Sequence, residues 1–204
     1  MGIFKKLFGQ KDPVDSDSSE SQRTERSKYM PDIQAPADER FTKNFILNGG
    51  KFLYCLDFDE VLESFDNILL ENDWYESEVY CLDNQLQKKF DGFNLKFGRS
   101  PEAKFFLSTC ENLVADDGSV LISSNQIKEK KLHELPQDLI LYATTSQIIN
   151  NIGEGLRAIK WRNSSKIPTN ITTIKNFENH EGSKDFMTYG SSSKNLYLLL
   201  LEDL

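Results

Sequence analysis

The sequence is short of the side chains that metal and redox chemistry draw on. It has two histidines, His133 and His180, far apart in the 204-residue chain, and neither has a Cys or second His at ligand spacing. That argues against a zinc site, and no metal or cofactor is expected. Its three cysteines, Cys55, Cys81 and Cys110, form no CxxC pair. An odd, scattered set with no secretion signal reads as reduced thiols in the cytoplasm, not as a disulfide framework or an iron–sulfur cage. No apolar run approaches the roughly 18 residues of a membrane span. Leu196–Leu201 is too short for one and reads as a buried strand. The phosphate-binding glycine motifs, the H-E-x-x-H zinc motif and the G-x-S-x-G nucleophile turn are all missing.

Charge narrows the partners. The formal net charge is -8 and the isoelectric point about 4.9. Nucleic-acid binding needs a concentrated basic surface, so nucleic acid is not an expected partner.

The chain divides by composition. Residues 1–37 read as a flexible arm and residues 38–204 as one folded domain. Residues 10–37 are rich in Ser, Asp, Glu, Gln and Pro, too polar to offset the entropy of ordering. Residues 1–9 differ, because Ile3, Phe4, Leu7 and Phe8 recur at helical spacing beside Lys5 and Lys6. Such a stub is a candidate docking helix for a partner protein, or a weak contact with a membrane surface. The alternative is that it folds back on its own domain. Lys6 at the sixth position rules against myristoylation, and the stub lacks the apolar core of a signal peptide.

Strands and helices alternate through the domain, which argues for an α/β fold. Asp38 is a candidate N-cap for a helix over Glu39–Leu47, ended by Asn48-Gly49-Gly50. Lys51–Leu56 reads as a strand, Asp57–Leu70 as a helix, Glu78–Leu82 as a strand and Asp83–Phe90 as a short helix. Strands follow at Lys104–Ser108, Ser119–Ser123 and Leu139–Ala143. Thr144 or Thr145 is expected to cap a helix to about Ile159, with Ile148, Ile149, Ile152, Leu156 and Ile159 inward. Ile171–Ile174 and Leu196–Leu201 complete the set, the latter apolar enough for a central strand covered on both faces.

Two turns are candidates for chemistry. In Ala115-Asp116-Asp117-Gly118-Ser119, Asp116 or Asp117 is a candidate acid or base, and Gly118 with Ser119 a candidate ligand contact. The alternative is a plain Asp-Gly turn. In Tyr189–Lys194, Gly190, Ser191, Ser192 and Lys194 form a candidate nest for a small anionic metabolite. The alternative there is a tolerant surface loop. Ligands of open α/β sheets bind beyond the carboxyl ends of parallel strands, and this loop precedes its strand. Cys55 and Cys81 read as buried small hydrophobes. Cys110, after Ser108-Thr109, is the candidate reactive thiol, with a structural role as the alternative. His133 sits in a polar loop.

The order of segments carries a resemblance. Asn48-Gly49-Gly50 precedes the first strand. Val114-Ala115-Asp116-Asp117-Gly118-Ser119-Val120-Leu121-Ile122 enters a later one, and Leu135-Pro136 precedes the strand Leu139–Ala143 with its helix behind. Over roughly residues 40–204 this resembles the lactate-utilization (LUD) domain family, to which lactate utilization protein C belongs. The resemblance implies a Rossmann-like three-layer α/β sandwich, like that of ribose-phosphate isomerases and CoA transferases. It also implies work beside separate iron–sulfur subunits. The chain is a degenerate member. Asp116 and Asp117 stand where the family has Glu and Thr, and residues 175–182 do not match its Gly-Pro-Ser segment. Of its Gly-Val-His-Gly-Pro segment, Gly190 stands for the second Gly while the His and Pro are gone. Ala115, Gly118, Ser119 and Gly190 carry over. This erosion favours a non-catalytic binding or assembly subunit. The alternatives are an enzyme or subunit of small-carboxylate, lactate-type metabolism, and a peripheral membrane adaptor acting through the stub.

Overall fold

The computed structural model describes residues 35–177 and 194–203. The stub, nearly all of the arm, and Gly190, Ser191 and Ser192 lie outside the described residues. In chain order the elements are α1 (Ala37–Leu47), β1 (Lys51–Cys55), α2 (Phe58–Asn72), β2 (Glu78–Tyr80), α3 (Asn84–Lys89), β3 (Lys96–Gly98), β4 (Phe105–Ser108) and β5 (Asn112–Val114). There follow β6 (Ser119–Ile122), α4 (Ser124–Ile127), β7 (Asp138–Thr144), β8 (Ile148–Ile149), α5 (Ile152–Arg162), β9 (Thr172–Ile174) and β10 (Asn195–Leu201).

Six strands form an all-parallel sheet in the order β1-β10-β7-β4-β2-β3. Period-two alternation sends each strand's side chains to opposite faces. Leu196, Leu198 and Leu200 of β10 join Leu139, Leu141 and Ala143 of β7 on one face. Tyr197 and Leu199 join Ile140 and Tyr142 on the other. Helix α2 covers this second face with Val61, Phe65, Ile68 and Leu69, and α3 adds Leu86. Trp74 stacks on Phe105 there, with ring centroids 4.9 Å apart.

The first face packs against Phe41 and Phe45 of α1 and against a second sheet, ordered β8-β5-β6-β9. Leu113, Val120, Ile122 and Ile174 face this core. Leu121 points the other way, where α5 lies over the small sheet. A Cβ on Gly155 of α5 would come within 2.8 Å of Leu121 and 2.7 Å of Ile149. A parallel central sheet flanked by helices gives the Rossmann-like three-layer α/β arrangement that the family resemblance implies.

Local signals place several ends. Asp57 caps α2 by accepting from the Glu60 N–H at 2.9 Å, and Asp83 caps α3 through the Gln85 and Leu86 amides. Others depart from expectation. Helix α1 starts behind Pro36, not Asp38. Proline's fixed φ suits a helix start, and Asp38 and Glu39 instead occupy the first turn, where the helix dipole favours them. The long helix expected after Thr145 is broken. A 3₁₀ turn at Thr145–Gln147 leads into β8, and Asn151 caps α5. Ile148 and Ile149 pair in parallel with Leu113 and Val114, so tertiary pairing of two β-branched residues overrides their helical spacing. Ile152 and Leu156, expected inward, are 37% and 44% exposed. Strands β3 and β5, three residues each, are too short to show a period in the sequence.

Helix α1 also holds the β5–β6 turn. Gly118 has φ +69°, and a Cβ there would run into the backbone at Asn44 and Phe45. Gly118→Ala is therefore expected to cost roughly 2–5 kcal/mol, from the left-handed backbone and the overpacking together. Denaturant unfolding of the variant checks this.

Candidate functional site

The acidic turn is bound into its surroundings by side chains of α1. Asp116 pairs with Arg40 at 2.6 Å, and Arg40 also donates to Asn150 Oδ1 at 2.7 Å. Asn44 donates to the carbonyls of Ala115 and Asp116, and Asn48 to that of Asp117 at 2.7 Å. Asp117 Oδ1 accepts from both the backbone N–H and the hydroxyl of buried Ser119, at 3.1 and 2.7 Å. Its other oxygen lies 3.8 Å from Lys175 Nζ. Arg40, Asn44 and Asn48 recur every fourth residue and so share one helix face.

Of the second turn, Lys194 is described. It is 2% exposed, and its ammonium donates to the carbonyls of Leu135 and Pro136, both at 2.8 Å. Burial pulls its pKa down to about 8, partly opposed by Asp138. Its backbone N–H donates to Asn176 O, close in sequence to the Lys175 that faces Asp117. Because β10 is parallel to both its neighbours, Lys194 sits at the amino edge of the sheet.

The opposite edge carries an open cleft. Beyond the carboxyl ends of the adjacent strands β2 and β4, a cavity of about 220 Å³ is lined by Asp83, Asn84, Ser108, Thr109, Asn125 and Lys128, among others. Among the described residues, the Asn84 amide and the Thr109 hydroxyl have no hydrogen-bond partner. Lys128 Nζ has only a long bond to Asn125 O at 3.3 Å. Lys128 itself adopts φ 54° and ψ -129°, a region that side-chain-bearing residues avoid. Behind the cleft, buried Glu111 accepts from Ser123 Oγ at 2.6 Å and from Asn125 Nδ2 at 2.7 Å, with Arg162 3.7 Å from its second oxygen. Asn125 is thereby fixed from behind while it lines the cleft.

Sequence reasoning passed over Asn84, Thr109, Glu111 and Lys128. Ser108-Thr109 stood out only as the prelude to Cys110. The signal was its place just past a strand, which gains meaning once the strand's direction is known. Among the described residues no group of three or more His, Cys, Asp or Glu could hold a metal ion, and no helix is long and apolar enough to cross a membrane.

Further along the carboxyl edge, Asp203 ties the end of β10 to that of β7. It accepts from Thr145 Oγ1 at 2.9 Å, Ser146 N at 2.8 Å and Ser146 Oγ at 2.7 Å. Burial pushes its pKa up, but the hydrogen bonds from Ser146, Thr144 and Thr145 outweigh it and hold the group at about 2. Cys110, the candidate reactive thiol, is buried. Burial, reinforced by Glu111 and opposed by Arg162, pushes its pKa up to about 12. Burial also raises Cys55, and takes Cys81 to about 11.

Two outcomes follow from these groups. A depressed carboxylate stabilises the fold above its unfolded pKa and loses that contribution as pH falls through the folded one. Asp203→Asn should therefore lower the melting temperature at neutral pH, and the gap to the parent should close between pH 3.8 and about 2. Thiolates are the reactive form of cysteine, so a thiol-titrating disulfide reagent at pH 8 should modify none of the three cysteines in the native protein and all three after denaturation.

Comparison with known proteins agrees with this architecture. The LUD domain family matches residues 99–201, just over half of the chain. The fold is similar to that of the crystal structure of a DUF162 family protein from Deinococcus radiodurans. The TM-score is 0.57 at 11% identity, over 82% of this chain and 96% of that one. No curated protein matches the sequence. With the family match spanning β4 to β10, the chain belongs to the LUD domain family.

Proposed function

We propose that this protein is a non-catalytic binding and assembly subunit of the cytoplasm, holding a small anionic metabolite in the cleft beyond β2 and β4. The observation that carries the reading is the cleft's position and lining. It lies where parallel α/β sheets take their ligands. Its unpartnered Asn84 amide and Thr109 hydroxyl, and the Lys128 ammonium with its one long bond to Asn125 O, can all donate to a carboxylate or phosphate. Its 220 Å³ is below the usual range of drug-sized pockets, which suits a metabolite of a few carbons. The resemblance to lactate-utilization proteins points the same way, toward small hydroxy acids.

The non-catalytic half rests on the acidic turn. Asp116 Oδ1 pairs with Arg40, and Asp117 is held by Ser119 and faces Lys175, which supports a structural role for them. Three free, buried cysteines accord with a reducing compartment.

Thermal shift against small hydroxy and keto acids, sugar phosphates and CoA tests the reading. A ligand at about 100 times its Kd should add about 2.7 kcal/mol of stability. Thr109→Val should reduce that shift, and Asp116→Ala should keep it. Lys128→Gly separates binding from folding. It relieves the backbone at φ 54°, and so should raise the stability of the free protein by about 1 kcal/mol while weakening the ligand shift. The reading fails if no member of the panel shifts the parent, or if the shift is unchanged in both Thr109→Val and Lys128→Gly.

A further inference from the structure

Helix α5 buries only Gly155 and Ile159, so most of its surface faces outward. That surface is not polar. Ile152 is 37% exposed, Leu156 44% and Trp161 86%, and Ile167 beyond the helix is 49% exposed. Trp161 and Ile167, with Arg157, Lys160 and Ser164, line a concavity of about 350 Å³. Its charge also runs against that of the molecule. The chain carries a net -8, yet Arg157, Lys160, Arg162 and Lys166 cluster on and just after this helix. Among the described residues, only Arg162 of these four has an acidic partner, Glu111. Trp and Arg are the residue types most enriched among those that carry interface energy. An apolar depression rimmed by unpaired cations is complementary to an apolar group flanked by carboxylates.

We propose that the groove on α5 docks an acidic segment of another protein, with an aromatic or aliphatic side chain seated against Trp161 and Ile167 and carboxylates facing Arg157 and Lys160. A protein segment fits better than a lipid surface because Trp161 and Ile167 line a concavity together with Arg157, Lys160 and Ser164, which a side chain of a segment can fill. A second copy of the chain fits less well. Its exposed acidic residues on α2, such as Asp59, Glu63 and Asp66, lie on a different element, so the contact would be head-to-tail, not the isologous kind that makes the commonest dimers. The proposal gives the assembly half of the proposed function a surface, and it does not depend on the metabolite cleft.

The test is to pan the full chain against a displayed random-peptide library, then titrate a selected peptide while following tryptophan emission. Trp74 is buried and supplies a steady background, so the signal reports Trp161. The expected result is enrichment of sequences that combine Asp or Glu with Phe, Leu or Trp, and a blue shift of emission on binding. Affinity should fall at least tenfold in Arg157→Glu/Lys160→Glu, weaken with added salt, and persist in Lys160→Arg. These side chains are exposed, so the charge-reversed protein should keep its melting temperature. Trp161→Ser should lose the peptide yet keep any metabolite shift at the cleft, which separates failure of the groove from failure of the cleft. The proposal is overturned by no enrichment, by enriched peptides without acidic residues, by binding indifferent to the substitutions, or by an emission shift produced by phosphatidylglycerol vesicles and by no peptide. Concentration-dependent self-association abolished by Trp161→Ser overturns it in favour of a second copy.

Discussion

Strand β10 imposes the main constraint on this fold. Leu196 to Leu200 are five consecutive buried residues, and parallel neighbours flank the strand on both sides. Such a strand has no face to give to water, so both sides of the sheet must be covered. The α2–α3 layer covers one face. On the other side α1 and the small sheet do the same work, and the small sheet in turn needs α5 over Leu121 and Ile149. Each layer exists because the one beneath it exposes apolar surface.

The acidic turn shows how such a structure keeps its layers in register. Arg40, Asn44 and Asn48 form a polar row along α1, while Phe41 and Phe45 face the core. That row satisfies the carbonyls of the 115–117 turn and the Asp116 carboxylate, and Gly118 allows the backbones to close. Buried backbone oxygens need partners, and here side chains from an element distant in sequence supply them. A turn bearing two carboxylates and a serine reads as chemistry in one dimension. In three it also forms the seam between α1 and the small sheet. Lys194 follows the same pattern, since its buried ammonium satisfies two carbonyls before Asp138.

The two edges of the parallel sheet thus have different characters. The amino edge is closed by Lys194 and its carbonyl partners. The carboxyl edge is drawn together by Asp203 at β7 and β10 but is left open between β2 and β4, with polar side chains that have no protein partner. Glu111 braces that opening from behind through Asn125. It also touches Arg162 at the end of α5, so the cleft and the basic groove share a structural support.

The sequence alone determined the α/β class, the apolar central strand, the positions of α2 and α3 and the family resemblance. Those features rest on local chemistry: apolar runs of strand length, helical spacing of apolar residues, and Gly where a turn needs positive φ. Tertiary structure decided the rest. Ile148-Ile149 became a strand because β5 offered an open edge, and the direction of β10 set which loop lies at which end of the sheet. Thr109 and Lys128 meet Asn84 only because β2 and β4 are neighbours. The function of a polar side chain depends on whether another part of the chain satisfies it, and only the packed structure brings those partners together.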